Sequence, residues 1–107
     1  MNNDGFISLH RSLLDWEWYG NKNVRMLFIH LLMRVNWKDS RWQGVEIERG
    51  SIVTSYEKLA KETKMSVQEV RTALNKLKST GEITCKTTNK FTLINVVNFK
   101  KFQDKNY

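Results

Sequence analysis

The most regular pattern of apolar and polar positions lies between Val24 and Trp37. Val24, Leu27, Phe28, Leu31, Leu32 and Val35 recur at helical spacing and make one broad apolar face. Met26, Ile29, Met33 and Trp37 form a second, narrower stripe on nearly the opposite side. Arg25 and Asn36 divide the two along one seam, and His30 and Arg34 along the other. The pattern predicts a helix from Asn23, a residue type that caps, to about Asn36. A helix apolar on two sides is expected to be covered on both. One side should meet the helix pair that follows, and the other the Trp-rich segment before it or a second subunit.

The flanking patterns are weaker. Gly5 to Arg11 alternates poorly and is read as a short strand, with Phe6, Ser8 and His10 on one side. Ser12 and Asp15 have capping-box-like spacing and open a short helix through Leu13, Leu14, Trp16, Trp18 and Tyr19, ended by Gly20. Lys38 to Gly44 reads as a loop. Val45 and Ile47 alternate with Glu46 and Glu48 as in a half-buried strand. Arg49-Gly50 makes the turn, and Ser51 to Val53 can return as a second strand.

From Thr54 to Gly81 two short helices are predicted, joined by a tight turn. Thr54 and Glu57 have the spacing of a capping box, and Leu59 and Ala60 supply the inner face of the first helix. The turn falls at Thr63-Lys64-Met65. Ser66 and Glu69 form a second capping box, which assigns Glu69 to the helix start. Val67, Val70, Ala73, Leu74 and Leu77 make the inner face of the second helix, and Gly81 is a left-handed cap. Two capped helices this close make a helix-turn-helix, and an ordinary αα-hairpin in a bundle is the plain alternative. Glu82 to Lys86 and Lys90 to Val97 then read as a hairpin rich in β-branched and aromatic residues, with Ile83, Cys85, Phe91 and Leu93 facing the core. A hairpin directly after such a helix is a wing. The predicted fold class is therefore α+β: a winged helix-turn-helix, mostly helical, with a small antiparallel sheet. Residues 1–107 are read as one domain, with an extension at 5–20, the helix pair at 54–81, the wing at 82–98 and a basic tail at 99–107 carrying Lys100, Lys101 and Lys105.

Charge adds a partner class to this picture. Lys and Arg number 18 against 11 Asp and Glu, a formal net charge of +7. A small domain this basic often meets a polyanion, although such a charge also keeps a protein soluble. In helix pairs of this kind the start of the second helix enters the major groove of DNA. That places Ser66, Gln68, Arg71, Thr72 and Asn75 near base edges or phosphates, and Lys76 nearer the phosphates. Lys86 and Lys90 on the wing would lie on the backbone or in the minor groove. For each of these residues an ordinary solvated surface is the alternative. Trp16, Trp18, Trp37 and Trp42 can stack on single-stranded bases, but such residues more often fill cores or subunit contacts.

Other chemistry finds no pattern. His10, His30 and Cys85 lack metal-ligand spacing, and His30 reads as structural. There is no GxxxxGK loop, no nucleophile with a base and no paired carboxylates, so neither an enzyme nor a cofactor is expected. No apolar run is long enough for a membrane span, the N-terminus lacks the pattern of a signal peptide, and one cysteine fits a reducing compartment. A cytoplasmic protein is expected.

The runs RGSIVTSYEKLAKETKMSVQEVRTALNKLKSTGEI and FTLINVVNFKKFQ, with GFISLHRSLLDWEWYGN upstream, resemble the N-terminal winged-helix domain of DnaD-like primosome proteins and phage replisome organisers. The resemblance covers almost the whole chain, though its pieces are patterns of residue types rather than a catalytic signature. It implies a replication-initiation module that binds duplex DNA, with origin repeats as the site and primosome or helicase-loader proteins as partners. Such proteins usually continue into a helical C-terminal domain. This sequence ends at Tyr107, and the resemblance then implies an excised domain or a short stand-alone relative. A winged-helix transcriptional regulator and a protein-interaction module in primosome assembly remain as alternatives, because fold does not settle function.

Overall fold

Asn21 starts the central helix. Its backbone is extended and its side chain accepts a hydrogen bond from the Val24 N–H at 3.1 Å. The helix, α1, spans Lys22–Arg34. The predicted cap at Asn23 is thus two residues too late; Asn23 is helical and its side chain serves another partner. Val24, Leu27, Phe28, Leu31, Leu32 and Val35 are all buried, as the broad face requires.

The computed structural model describes residues 5–103 and is an α+β arrangement of helices with small antiparallel sheets. After α1 come β1 (Ser40–Trp42), β2 (Val45–Ile47) and β3 (Ser51–Thr54). Then follow α2 (Tyr56–Thr63), α3 (Val67–Ser79), β4 (Ile83–Thr87), β5 (Thr92–Val96) and α4 (Phe99–Gln103). β1 and β2 form a hairpin of their own, and β3, β5 and β4 form a sheet in that order. The two helices α2 and α3 carry their apolar sides to the same core as α1, and Leu59, Val70, Leu74 and Leu77 are at most 1% exposed.

Several local expectations change. No strand forms at residues 5–10; that segment is held to α4 by the Ser8 N–H on the Phe102 carbonyl, 2.7 Å. A single such bond makes no ladder. Arg11–Asp15 is a short 3₁₀ turn entered through His10, and Ser12 caps nothing there. The stretch read as a loop contains β1, because Gln43 and Gly44 take φ of 47° and 80° and close a two-residue hairpin turn onto β2. β3 pairs with β5, as the availability of Ile52-Val53 to the hairpin implies, with Ile52 opposite Ile94. Thr54 belongs to that ladder, its hydroxyl buried without a hydrogen-bond partner, so Ser55 caps α2 instead.

The β4–β5 hairpin forms as predicted, but β5 is out of phase. Thr92, Ile94 and Val96 are buried, while Phe91 and Leu93 are half-buried. β5 is the central strand, and its inward set is fixed by Ile52 on one side and by Ile83 and Cys85 on the other. The expected basic tail begins as α4, whose Phe99 and Phe102 are buried; Lys100 is exposed and Lys101 half-buried, and Lys105 lies outside the described residues.

The Trp-rich segment does not cover the second stripe of α1. Trp16 packs on Phe28 of the broad face, with ring centroids 5.0 Å apart. Met26, Met33 and Trp37 stay 53%, 63% and 64% exposed, and Ile29 is half-buried.

Gly50 is the corner where these parts meet. Its N–H donates to the Asn36 carbonyl and its own carbonyl accepts from the Val96 N–H, at 2.7 and 2.8 Å. Its φ is +85°, and a Cβ there would stand 2.8 Å from the Phe99 Cβ. Both the backbone conformation and the space therefore demand glycine. Gly50→Ala should destabilise the protein by about 2 kcal/mol, read as the urea midpoint. An unchanged midpoint would mean that the corner relaxes freely.

Candidate functional site

Ser66 fixes where α3 begins. Its hydroxyl accepts from the Glu69 N–H at 3.0 Å, and the Glu69 carboxylate accepts from the Ser66 N–H at 2.8 Å, a complete capping box. The other carboxylate oxygen accepts from the Asn23 side chain at 3.2 Å and so joins the start of α1 to the start of α3. The hydrogen bond from the Ser66 backbone, then that from Asn23, holds the Glu69 carboxyl below its ordinary range. Glu69 is occupied as a cap, as its spacing implied.

The outer face of α3 is polar and exposed at Gln68, Arg71, Thr72 and Asn75. Its side chains are linked. Arg71 donates to the Gln68 side-chain Oε1 at 3.1 Å, and the Gln68 side-chain Nε2 donates to the Thr72 hydroxyl at 3.2 Å. The Arg71 guanidinium also lies 5.5 Å from the centre of the Tyr56 ring on α2. Lys76 is half-buried, its ammonium 5.6 Å from the centre of the Trp18 ring. Trp18 is in turn anchored by its indole N–H on the Thr80 hydroxyl, 2.8 Å. Both cations are thus set by aromatic neighbours, an arrangement that stabilises a fixed position.

Of the predicted site residues, Ser66, Gln68, Thr72 and Lys76 line one shallow groove of about 210 Å³ together with Asn21 and Asn23. Arg71 joins them through Gln68. Asn75 is exposed on the same helix. Lys86 and Lys90 are exposed on the β4–β5 hairpin, a separate element. The tip of that hairpin is held by Thr88, whose hydroxyl accepts from the Lys90 and Phe91 N–H groups and donates to the Phe91 carbonyl, each at 3.2 Å.

Sequence reasoning missed Asn21, Asn23, Tyr56 and Trp18 as neighbours of this face. The local signal is confined to the GNKN run, whose residue types read as a loop and a cap. The contacts of Tyr56 and Trp18 join residues far apart in the chain, which local spacing does not encode.

Two titratable groups lie away from this face. Glu62 accepts from the His30 ring at 2.9 Å and lies 3.2 Å from the Arg34 guanidinium. Burial raises its pKa, but the His30 hydrogen bond and the charge of Arg34 outweigh this, and the net shift is downward. Burial pushes the Cys85 thiol up. Among the described residues no three His, Cys, Asp or Glu side chains are placed to hold a metal ion. No described helix is long and apolar enough to cross a membrane.

The lowered pKa of Glu62 makes a prediction with a definite sign. A carboxyl depressed by folding contributes stability above its unfolded pKa, ordinarily 4.5, and loses it as pH falls through the folded value. The thermal midpoint should be level from neutral pH to about pH 5 and fall below that. Glu62→Gln should cost about 1 kcal/mol at neutral pH and leave a shallower acid-dependent fall, since Glu69 titrates in the same window. An acid limb identical to that of the unaltered protein would show that the His30–Glu62–Arg34 cluster adds nothing.

Compared with family models, with curated proteins and with solved structures, this chain matches none.

Proposed function

We propose that this chain is a winged-helix module that binds duplex DNA, with α3 in the major groove and the β4–β5 hairpin as its wing. The observation that carries this reading is the division of α3. Val70, Ala73, Leu74 and Leu77 are buried, and the opposite side presents Gln68, Arg71, Thr72 and Asn75, all four exposed among the described residues. Arg is suited to the two acceptors of guanine, and Asn or Gln to the donor and acceptor of adenine. Ser66 and Lys76, at the ends of the groove beside α1, suit phosphates, as do Lys86 and Lys90. The net charge of +7 favours the same partner.

The resemblance to DnaD-like primosome proteins and phage replisome organisers supports a role in replication initiation rather than in transcription. An operator-binding regulator needs a defined repeat, whereas an organiser works on origin repeats or on structure. A second copy of the chain belongs to the same proposal. Met26 and Met33 on α1, and Trp37 just beyond its end, are left open by every described element, and three large exposed apolar side chains favour self-association.

Binding to a short duplex should weaken steeply with salt. Four to six phosphate contacts give a log–log slope of roughly −4 to −5. Arg71→Ala should lose about 1–3 kcal/mol of affinity for the best site. A flat salt response argues against the DNA reading, and unchanged affinity in the Arg71 variant rules out this docking. In sedimentation across a concentration range the chain should dimerise, and Met33→Glu should hold it as a monomer. A strict monomer at high concentration excludes the second copy.

A further inference from the structure

We infer that the cleft between the tips of the two hairpins takes a single unpaired nucleotide of a nucleic-acid strand. The inference rests on the nucleic-acid reading above and adds a second mode of contact to it. The β1–β2 and β4–β5 hairpins form in separate sheets, yet their tips touch: Trp42 meets Phe91 with ring centroids 5.5 Å apart and planes at 83°. Between them lies a cleft of about 410 Å³ whose lining includes Trp42, Gln43, Thr88, Asn89, Lys90 and Phe91. That volume is within the range of small-ligand sites.

The lining matches the three parts of a nucleotide. Trp42 is 39% exposed, so one large ring is free to stack on a base. The Gln43 and Asn89 amides each offer a donor and an acceptor to a base edge. Lys90, exposed and without an ion pair among the described residues, suits the phosphate. No carboxylate lines the cleft, and Glu46, the acid of the first hairpin, is held by Arg41 at 2.8 Å. Both rims are fixed before any ligand arrives. The Gln43-Gly44 turn sets Trp42 opposite Val45, and the Thr88 hydroxyl holds the backbone of Lys90 and Phe91. A paired base in a duplex has both faces stacked already. An unpaired base alone can offer a face to Trp42, and a strand end or fork beside the wing is where one occurs.

The test uses the full chain with three probes: a flush duplex, the same duplex carrying a single-stranded thymidine tail, and the tail alone. The tail should raise duplex affinity about five- to a hundredfold. Trp42→Ala should remove that gain and leave flush-duplex affinity unchanged, while Trp42→Phe, which keeps a stacking ring, should retain most of it. In the spectrum of indole N–H groups the tail alone should move the Trp42 signal, identified by its loss in Trp42→Phe, and leave Trp37 in place. A tail that adds no affinity overturns the inference, as does a Trp37 signal that moves while Trp42 stays. Equal weakening of the flush duplex by Trp42→Ala also overturns it. If the tail binds through Trp42 while the flush duplex does not bind at all, the cleft stands and the duplex reading fails.

Discussion

The seating of α3 on α1 is the constraint on which the rest depends. Leu74 and Leu77 of α3, and Leu27 and Leu31 of α1, are at most 1% exposed. Removing one such side chain typically costs about 2–5 kcal/mol. The hydrogen bonds among Gln68, Arg71 and Thr72 on the outer side are worth roughly 0.5–1.5 kcal/mol each at most, and less where water competes. The apolar seat therefore decides which way α3 faces. The polar side is left to solvent as a consequence, and any partner that meets α3 meets that side. The Asn23–Glu69 contact then fixes the helix along its own axis, since it ties the first turn of α1 to the first turn of α3.

On the proposed reading, preorganisation matters as much as exposure. Arg71 lies over Tyr56 and Lys76 over Trp18, so neither long side chain samples all its rotamers in the free protein. Ordering a free side chain on binding costs roughly 0.5–1.5 kcal/mol. A cation over an exposed ring is held by only about 0.5–1 kcal/mol, whereas a hydrogen bond to a charged group is worth about 1.5–3 kcal/mol. A phosphate or a guanine can thus draw Arg71 away from Tyr56, while water does so less readily.

The sequence made the helices legible because the 3.6-residue period and the capping residues agree. The six apolar positions of α1, the Ser66–Glu69 box and the left-handed Gly81 at φ +82° all stand where the pattern puts them. What failed depends on partners distant in the chain. Thr54 and Ser55 are both capping types, and the pairing of Thr54 with Thr92 decides between them. β1 has three exposed residues and no alternation to read. Phe91 looked like a core residue because it is aromatic, but its partner is Trp42, in a segment taken for a loop. The outer face of α3 was legible from amphipathicity alone; the ring beneath each cation was not.

On the proposed reading the outer face of α3 meets duplex DNA. Mapping backbone amide shifts during titration with a short duplex at low salt tests it most directly. The largest changes should run from Ser66 to Lys76, with further changes at Lys86 and Lys90. Changes confined to the stripe of Met26, Met33 and Trp37, with α3 unmoved, would contradict it.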